Sequence, residues 1–177
     1  MDPNGPVVVV VANPGGAGRT GAAALLVAER IRALSPRIGL DGTDEIVVID
    51  LAAEPERLLG WGSLLAGIHQ ATIDRGRALV VASPTYKATY TGLLKIFVDH
   101  IESGDLRGIP TVAMMTGGSS AHALAVEVHL APLLTEIGAS VVTRGLYLAG
   151  PAVDDPAPTI DAWWAGAQGP LTRALTL

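Results

Sequence analysis

Three short polar stretches hold the residues of this chain that can do chemistry, and each follows an apolar run. The first is Asn13-Pro14-Gly15-Gly16-Ala17-Gly18-Arg19-Thr20-Gly21. Glycines let successive backbone N–H groups turn toward an anion, and the start of a following helix adds positive dipole. Arg19 supplies a fork of donors and Thr20 a hydroxyl, a set that suits a terminal phosphate monoester. The same Gly-rich turn also occurs as a plain strand-to-helix connection. The second stretch, Pro84 to Thr91, is polar and carries Thr85, Tyr86, Lys87 and Tyr90. Its tyrosines either meet a ligand or pack the loop. The third is Thr116-Gly117-Gly118-Ser119-Ser120-Ala121-His122. Two glycines there admit a planar ring close to the backbone. Ser119 or Ser120 can cap the next helix, and His122 reads as structural or supporting, not as an acid or base.

Competing motifs sort as follows. Gly16-Ala17-Gly18-Arg19-Thr20-Gly21 matches the dinucleotide fingerprint GxGxxG, and Asp50 stands where a ribose-binding acid would sit. Asn13-Pro14-Gly15 lengthens the loop beyond what that fingerprint expects. A Walker A loop is excluded because no Lys follows the glycines. His69, His100 and His129 lack zinc-site spacing to carboxylates, and no GxSxG elbow frames a serine nucleophile. The catalytic and metal-ligand sets are therefore left empty. Trp61, Trp163 and Trp164 read as packing residues, with Trp61 a candidate cover over a ligand. Lys95 and Asp99 form an i,i+4 surface pair.

The elements that must position these loops alternate regularly. Strands are expected at Val7 to Ala12, Ile46 to Asp50, Ala78 to Ala82, Ile109 to Met115 and Ser140 to Leu148. Helices are expected at Ala22 to Leu34, Ser63 to Ile73, Leu93 to Ile101, Ala121 to Ile137 and Thr159 to Leu175. Ser35-Pro36 ends the first helix, Pro132 can kink the fourth, and Gly169-Pro170 interrupts or ends the last. Pro151 to Pro158 reads as a linker. Val7 to Ala12 is apolar on both faces, as in a strand covered by helices on both sides. Parallel strands need such crossovers, so the pattern predicts an α/β three-layer sandwich around a five-stranded parallel sheet of order 2-1-3-4-5. All three polar loops then open on the carboxyl edge, where open α/β sheets bind ligands.

Composition narrows the function classes. The 177 residues fit one domain spanning 1–177, 49% hydrophobic and 16% charged, too apolar for disorder. A net charge of −5 argues against a general nucleic-acid surface. With no cysteine, disulfides and thiol chemistry are excluded. No apolar run reaches the roughly 20 residues of a membrane helix, and Met1 to Gly5 lacks the features of a signal peptide. A cytoplasmic protein is expected. Leu93, Leu94, Ile96, Phe97, Val98 and Ile101, with Leu124, Val126, Val128, Leu130, Leu133, Leu134 and Ile137, cover more than the single stripe a surface helix needs. That excess predicts a homodimer or a tetramer of dimers, unless the last helix covers these faces within one chain.

Ser83-Pro84-Thr85-Tyr86-Lys87-Ala88-Thr89-Tyr90-Thr91-Gly92-Leu93-Leu94-Lys95 resembles the S-P-x-Y-K-x-x-Y-x-G-x-L-K loop of the NAD(P)H-dependent FMN reductases, which are flavodoxin-like. Gly117-Gly118, Ala121-His122 and Leu124-Ala125-Val126 resemble that family's third loop. Pro14, Arg19 and Thr20 match its first loop, G-S-P-x-x-x-S-R-T, whereas Asn13 and Gly18 stand where serines are usual. The resemblance runs from about Val7 to Leu148. It implies FMN bound by Asn13, Gly16, Gly18, Arg19, Thr20, Pro84, Thr85, Tyr86, Lys87, Thr116, Gly117, Gly118 and Ser119, and reduced by NADPH or NADH. The nearest subgroup resembles reductases that feed reduced FMN to two-component sulfonate monooxygenases. Some of these carry a Tyr or His insertion in the fourth helix, where this chain has Val126-Glu127-Val128-His129. Alternatives from other classes are a flavin-bound quinone or azo reductase, an electron carrier, and a non-catalytic Rossmann-type nucleotide-binding module.

Overall fold

The computed structural model describes residues 2, 4–34 and 45–176. The expected helix stop at Ser35-Pro36 lies outside the described residues. Strand β1 (Val7–Val11) is buried along its whole length. Its side chains alternate between two cores: Val8 and Val10 join one, Val7, Val9 and Val11 the other. This is the period-2 alternation of a strand covered on both faces. β3 (Ala78–Pro84) and β4 (Pro110–Gly117) repeat it, with Leu79, Val81, Ala113 and Met115 on one side and Val80, Ala82, Val112 and Met114 on the other. Fully burying each of the Val, Leu and Met side chains is worth about 1.5–3 kcal/mol, so the central strands anchor the domain.

β2 (Ile46–Asp50) pairs with β1, β1 with β3 and β3 with β4, all in parallel, giving the expected order 2-1-3-4-5. Helices α1 (Gly18–Arg32) and α5 (Ala157–Leu175) cover one face through Val27, Ile31, Ile160, Ala167 and Leu171. Helices α2 (Leu64–Asp74), α3 (Gly92–Val98) and α4 (Ala131–Glu136) cover the other through Ile73, Leu94, Phe97 and Leu134. The last helix therefore packs on the face opposite α3 and α4 and does not cover them.

Four expected boundaries need correction. Helix α1 begins at Gly18, not Ala22, so Gly18, Arg19 and Thr20 form its first turn. A Cβ on Gly21 would stand 2.7 Å from Ala17 Cβ at the helix start, and this close approach outweighs glycine's poor helix propensity. The fifth strand splits into β5 (Ser140–Val141) and β6 (Leu146–Ala149). The register on β4 slips by two residues between Thr111↔Val141 and Met114↔Leu146, as in a bulge. Val126 packs so close to Gly145 that a Cβ there would stand 2.5 Å away, and the Gly145 N–H donates to Glu127 Oε1 at 2.9 Å. The expected fourth helix breaks into a 3₁₀ turn (Ser120–His122), a π turn (Val126–Leu130) and α4. Pro132 has no N–H for the Val128 carbonyl and its ring crowds that group, so the preceding turn widens. Helix α5 runs unbroken through Pro170, held by buried Ala167, Leu171 and Leu175 on either side of it. Among the described residues no helix is long and apolar enough to cross a membrane.

Candidate functional site

The loops after β1, β3, β4 and β6 meet at the carboxyl edge of the sheet, around the crevice between β1 and β3 where the strand order reverses. They enclose a cleft of about 580 Å³, lined by Asn13, Arg19, Thr20, Pro84, Thr85, Tyr86, Thr116, Gly117, Gly118, Gly150, Val153 and Asp154. That volume falls inside the roughly 300–1,000 Å³ of small-molecule pockets. A slightly larger groove, about 630 Å³, lies between the π turn and α5 beside Leu124 and Trp163. The polar loops converge on the first cleft, not on this one.

One wall is the start of α1. The N–H groups of its first turn have no carbonyl partner within the helix and point out of its end, together with the positive end of the helix dipole. The loop before it is tied down from below. Asp50 Oδ2 accepts from the Ala17 N–H at 2.9 Å, and Oδ1 accepts from the Ala52 N–H at 3.0 Å. Both carboxylate oxygens thus serve the backbone, so Asp50 braces the loop where the dinucleotide reading would have it grip a ribose. Asp50→Ala strands the Ala17 donor in a part-buried position. The substitution is expected to cost about 1–3 kcal/mol and to lower the midpoint of thermal unfolding; an unchanged midpoint would show that the loop holds itself.

Thr20 and Thr116 form the floor. Both are buried and share a hydrogen bond between hydroxyls at 2.9 Å, so Thr20 is less free to reach a ligand than its sequence position suggests. Asn13 keeps its side chain in the loop, accepting from the Gly15 N–H at 3.3 Å. Gly16 and Gly18 have positive φ, +87° and +47°, and shape the turn without lining the cleft.

The second wall is a small hairpin. Thr85 N–H donates to the Thr116 carbonyl at 2.7 Å, and Tyr86 and Thr89 exchange backbone bonds across a two-residue tip. Lys87 and Ala88 occupy that tip with φ of +50° and +67°, a conformation that costs non-glycine residues energy. Lys87 is exposed at the tip and is not part of the lining. Buried Ser83 and Thr91 hold the base of the hairpin: Ser83 Oγ accepts from the Thr91 N–H at 3.1 Å, and the Thr91 hydroxyl donates to the Ala12 carbonyl at 2.7 Å. Thr91 also caps α3 through the Leu94 N–H. Tyr86 stands half-exposed at the rim.

The third wall is Thr116 to Gly118. A Cβ on Gly117 would lie 2.0 Å from the Tyr147 hydroxyl, whereas one on Gly118 would meet nothing within 4 Å. The close approach at Gly117 is thus made by Tyr147, and the space over Gly118 is open. Tyr147 donates to the Ser119 carbonyl at 3.3 Å and lies 3.3 Å from the Thr85 hydroxyl, linking two walls. Ser119 caps the 3₁₀ turn through the Ala121 N–H, and His122 is exposed.

Sequence reasoning missed Tyr147, Gly150, Val153 and Asp154. Tyr147 lies in β6 and the other three follow it, and the carboxyl end of that strand opens on the same sheet edge, so that topological signal was available. Elsewhere, Trp61 is 87% exposed and makes a T-shaped ring contact with His100, at 6.1 Å between ring centroids. His69 packs on Phe97 at 6.0 Å, and burial pushes its imidazole below its ordinary pKa. Lys95 and Asp99 make the expected surface pair at 2.5 Å. Among the described residues no cluster of three or more His, Asp or Glu side chains is placed to hold a metal ion.

Comparison with known proteins shows the family. The model of a family described as NADPH-dependent FMN reductase matches residues 6–154. An NADH-dependent FMN reductase, SfnF, of Pseudomonas putida is 40% identical over 87 residues, 49% of this chain and 47% of that protein. An FMN reductase (NADPH) of Pseudomonas aeruginosa is 33% identical over 141 residues, 78% of this chain and 75% of that protein. With the first of these as with several others, the match spans about half of the relative's length or less. Among solved structures, the apo form of an NADH:FMN oxidoreductase, EMOB, superposes with a TM-score of 0.70 at 26% identity, covering 97% of this chain and 86% of that one.

Proposed function

Because the chain belongs to the NADPH-dependent FMN reductase family, we propose that it reduces FMN by hydride transfer from NADPH or NADH. The observation that carries this reading is the convergence, in one cleft, of a helix N-terminus with Arg19, a half-exposed aromatic rim at Tyr86, and open backbone over Gly118. The first suits a phosphate, the second and third a flat ring. The flavin supplies the redox chemistry when bound. The chain's own part is to bind and orient: Arg19 and the first turn of α1 hold the phosphate, Pro84 to Tyr86 border the ring, and Thr116 to Gly118 lie along it. Asn13 and Thr20 complete the phosphate end. Lys87 stands exposed at the hairpin tip, outside the lining of the cleft. No side chain is needed as acid or base for hydride transfer.

Steady-state NADPH and NADH oxidation with FMN, riboflavin and FAD tests the reading. FMN is expected to be the preferred acceptor, with FAD bound more weakly. No oxidation with any flavin ends the reductase proposal. Reduction of a bound flavin without turnover of free FMN would instead favour an electron carrier or a quinone or azo reductase. Turnover of free FMN also fits the supply of reduced flavin to a partner monooxygenase, which we include in the proposal.

We further propose a homodimer or a tetramer of dimers. Leu64 and Ile68 on α2 and Leu124 and Val128 around the π turn are exposed. A monomer by light scattering at micromolar concentration would remove this proposal.

A further inference from the structure

Arg19 does not stand free in the cleft. Its Nη1 lies 2.5 Å from Asp154 Oδ1, 135 residues further along the chain. Among the described lining residues Arg19 is the one cation and Asp154 the one anion. Both side chains are well exposed, 70% and 64%, so neither is held in place by burial. The turn that carries Asp154 is fixed independently of Arg19: the Asp154 and Asp155 N–H groups both donate to the Pro151 carbonyl, at 3.0 and 3.1 Å.

We propose that Asp154 is a built-in counter-ion that competes with the flavin phosphate for Arg19 and so makes FMN an exchangeable substrate, not a resident cofactor. This rests on the assignment of the FMN phosphate to the start of α1. An exposed ion pair is worth little and breaks readily. A phosphate offers the guanidinium more acceptor oxygens and charge than a carboxylate does, and displaces it. The displaced carboxylate stays on a fixed turn near the phosphate, where like charges repel. When the flavin leaves, Asp154 takes the guanidinium back. Binding is thereby weakened and release favoured, as delivery of reduced FMN to another protein requires.

Titrating FMN and riboflavin against Asp154→Asn and Asp154→Glu tests this. The Asn variant keeps the size and loses the charge; it should bind FMN about three- to ten-fold more tightly and riboflavin within about two-fold of the parent. The Glu variant restores the charge and should bind FMN within about two-fold of the parent. In an Arg19→Ala background the gain from Asp154→Asn should shrink. An Asn variant with unchanged or weaker FMN binding, or one that tightens riboflavin equally, overturns the proposal and leaves the phosphate assignment standing. A parent protein that binds FMN and riboflavin equally overturns the assignment itself, and the counter-ion with it.

Discussion

Arg19→Ala is expected to lower FMN affinity about ten- to a hundred-fold, because a hydrogen bond to a charged group contributes roughly 1.5–3 kcal/mol. The lower half of that range is favoured, since Arg19 must first leave Asp154 and its side chain is 70% exposed. Riboflavin has no phosphate and its binding should barely move. The contrast between the two flavins is the measurement: fluorescence titration of each against parent and variant. Equal loss for both would mean a disturbed fold and would withdraw Arg19 from the site. A dinucleotide-binding module would behave differently, with NADPH weakened by Asp50→Ala and FMN indifferent to Arg19. The structure argues against that outcome, since both Asp50 oxygens already accept backbone N–H groups beneath the loop.

Asp50 also shows where sequence reasoning reaches and where it stops. The strand positions and their order follow from apolar runs of the right length alternating with helices, and Val7–Val11 is buried on both faces as its β-branched run implies. The three loops were legible because topology alone brings them to one edge. Side-chain partners were not. Asp50 sits where the end of β2 predicts, but its role depends on the direction of its carboxylate, which the Ala17 N–H decides across 33 residues. Thr20 reads as a free hydroxyl until Thr116, 96 residues away, is seen to share it. The split fifth strand is likewise a matter of distant contact. Ser140 to Leu148 is a sound strand by composition, and Val126 and Glu127, on another element, draw Gly145 out of line. Exposed Trp61 is the same limit in reverse, since an apolar side chain does not announce whether it will be buried.

Gly117→Ala should produce the opposite signature to Arg19→Ala, with FMN and riboflavin weakened together. The added Cβ would stand 2.0 Å from the Tyr147 hydroxyl and 3.0 Å from its Cζ. Backbone or ring must shift, and overpacking of this kind costs about 1–3 kcal/mol, which lowers the unfolding midpoint by about 2–12 °C in a chain of this size. The shift falls on Tyr147, which is hydrogen-bonded to the Ser119 carbonyl and lies beside Thr85, so two walls of the cleft move with it. Ring contact is what both flavins share, hence their parallel loss. The clash also identifies its own remedy. Tyr147→Phe removes the hydroxyl, the atom in deepest overlap, at the cost of two long hydrogen bonds. In the Gly117→Ala background it should recover much of both the stability and the flavin affinity, whereas alone it should do mild harm. Such a reversal of sign between backgrounds marks two groups in direct contact. Were Gly117→Ala to bind both flavins as the parent does, with an unchanged midpoint, Tyr147 would not be the neighbour that requires a glycine at 117.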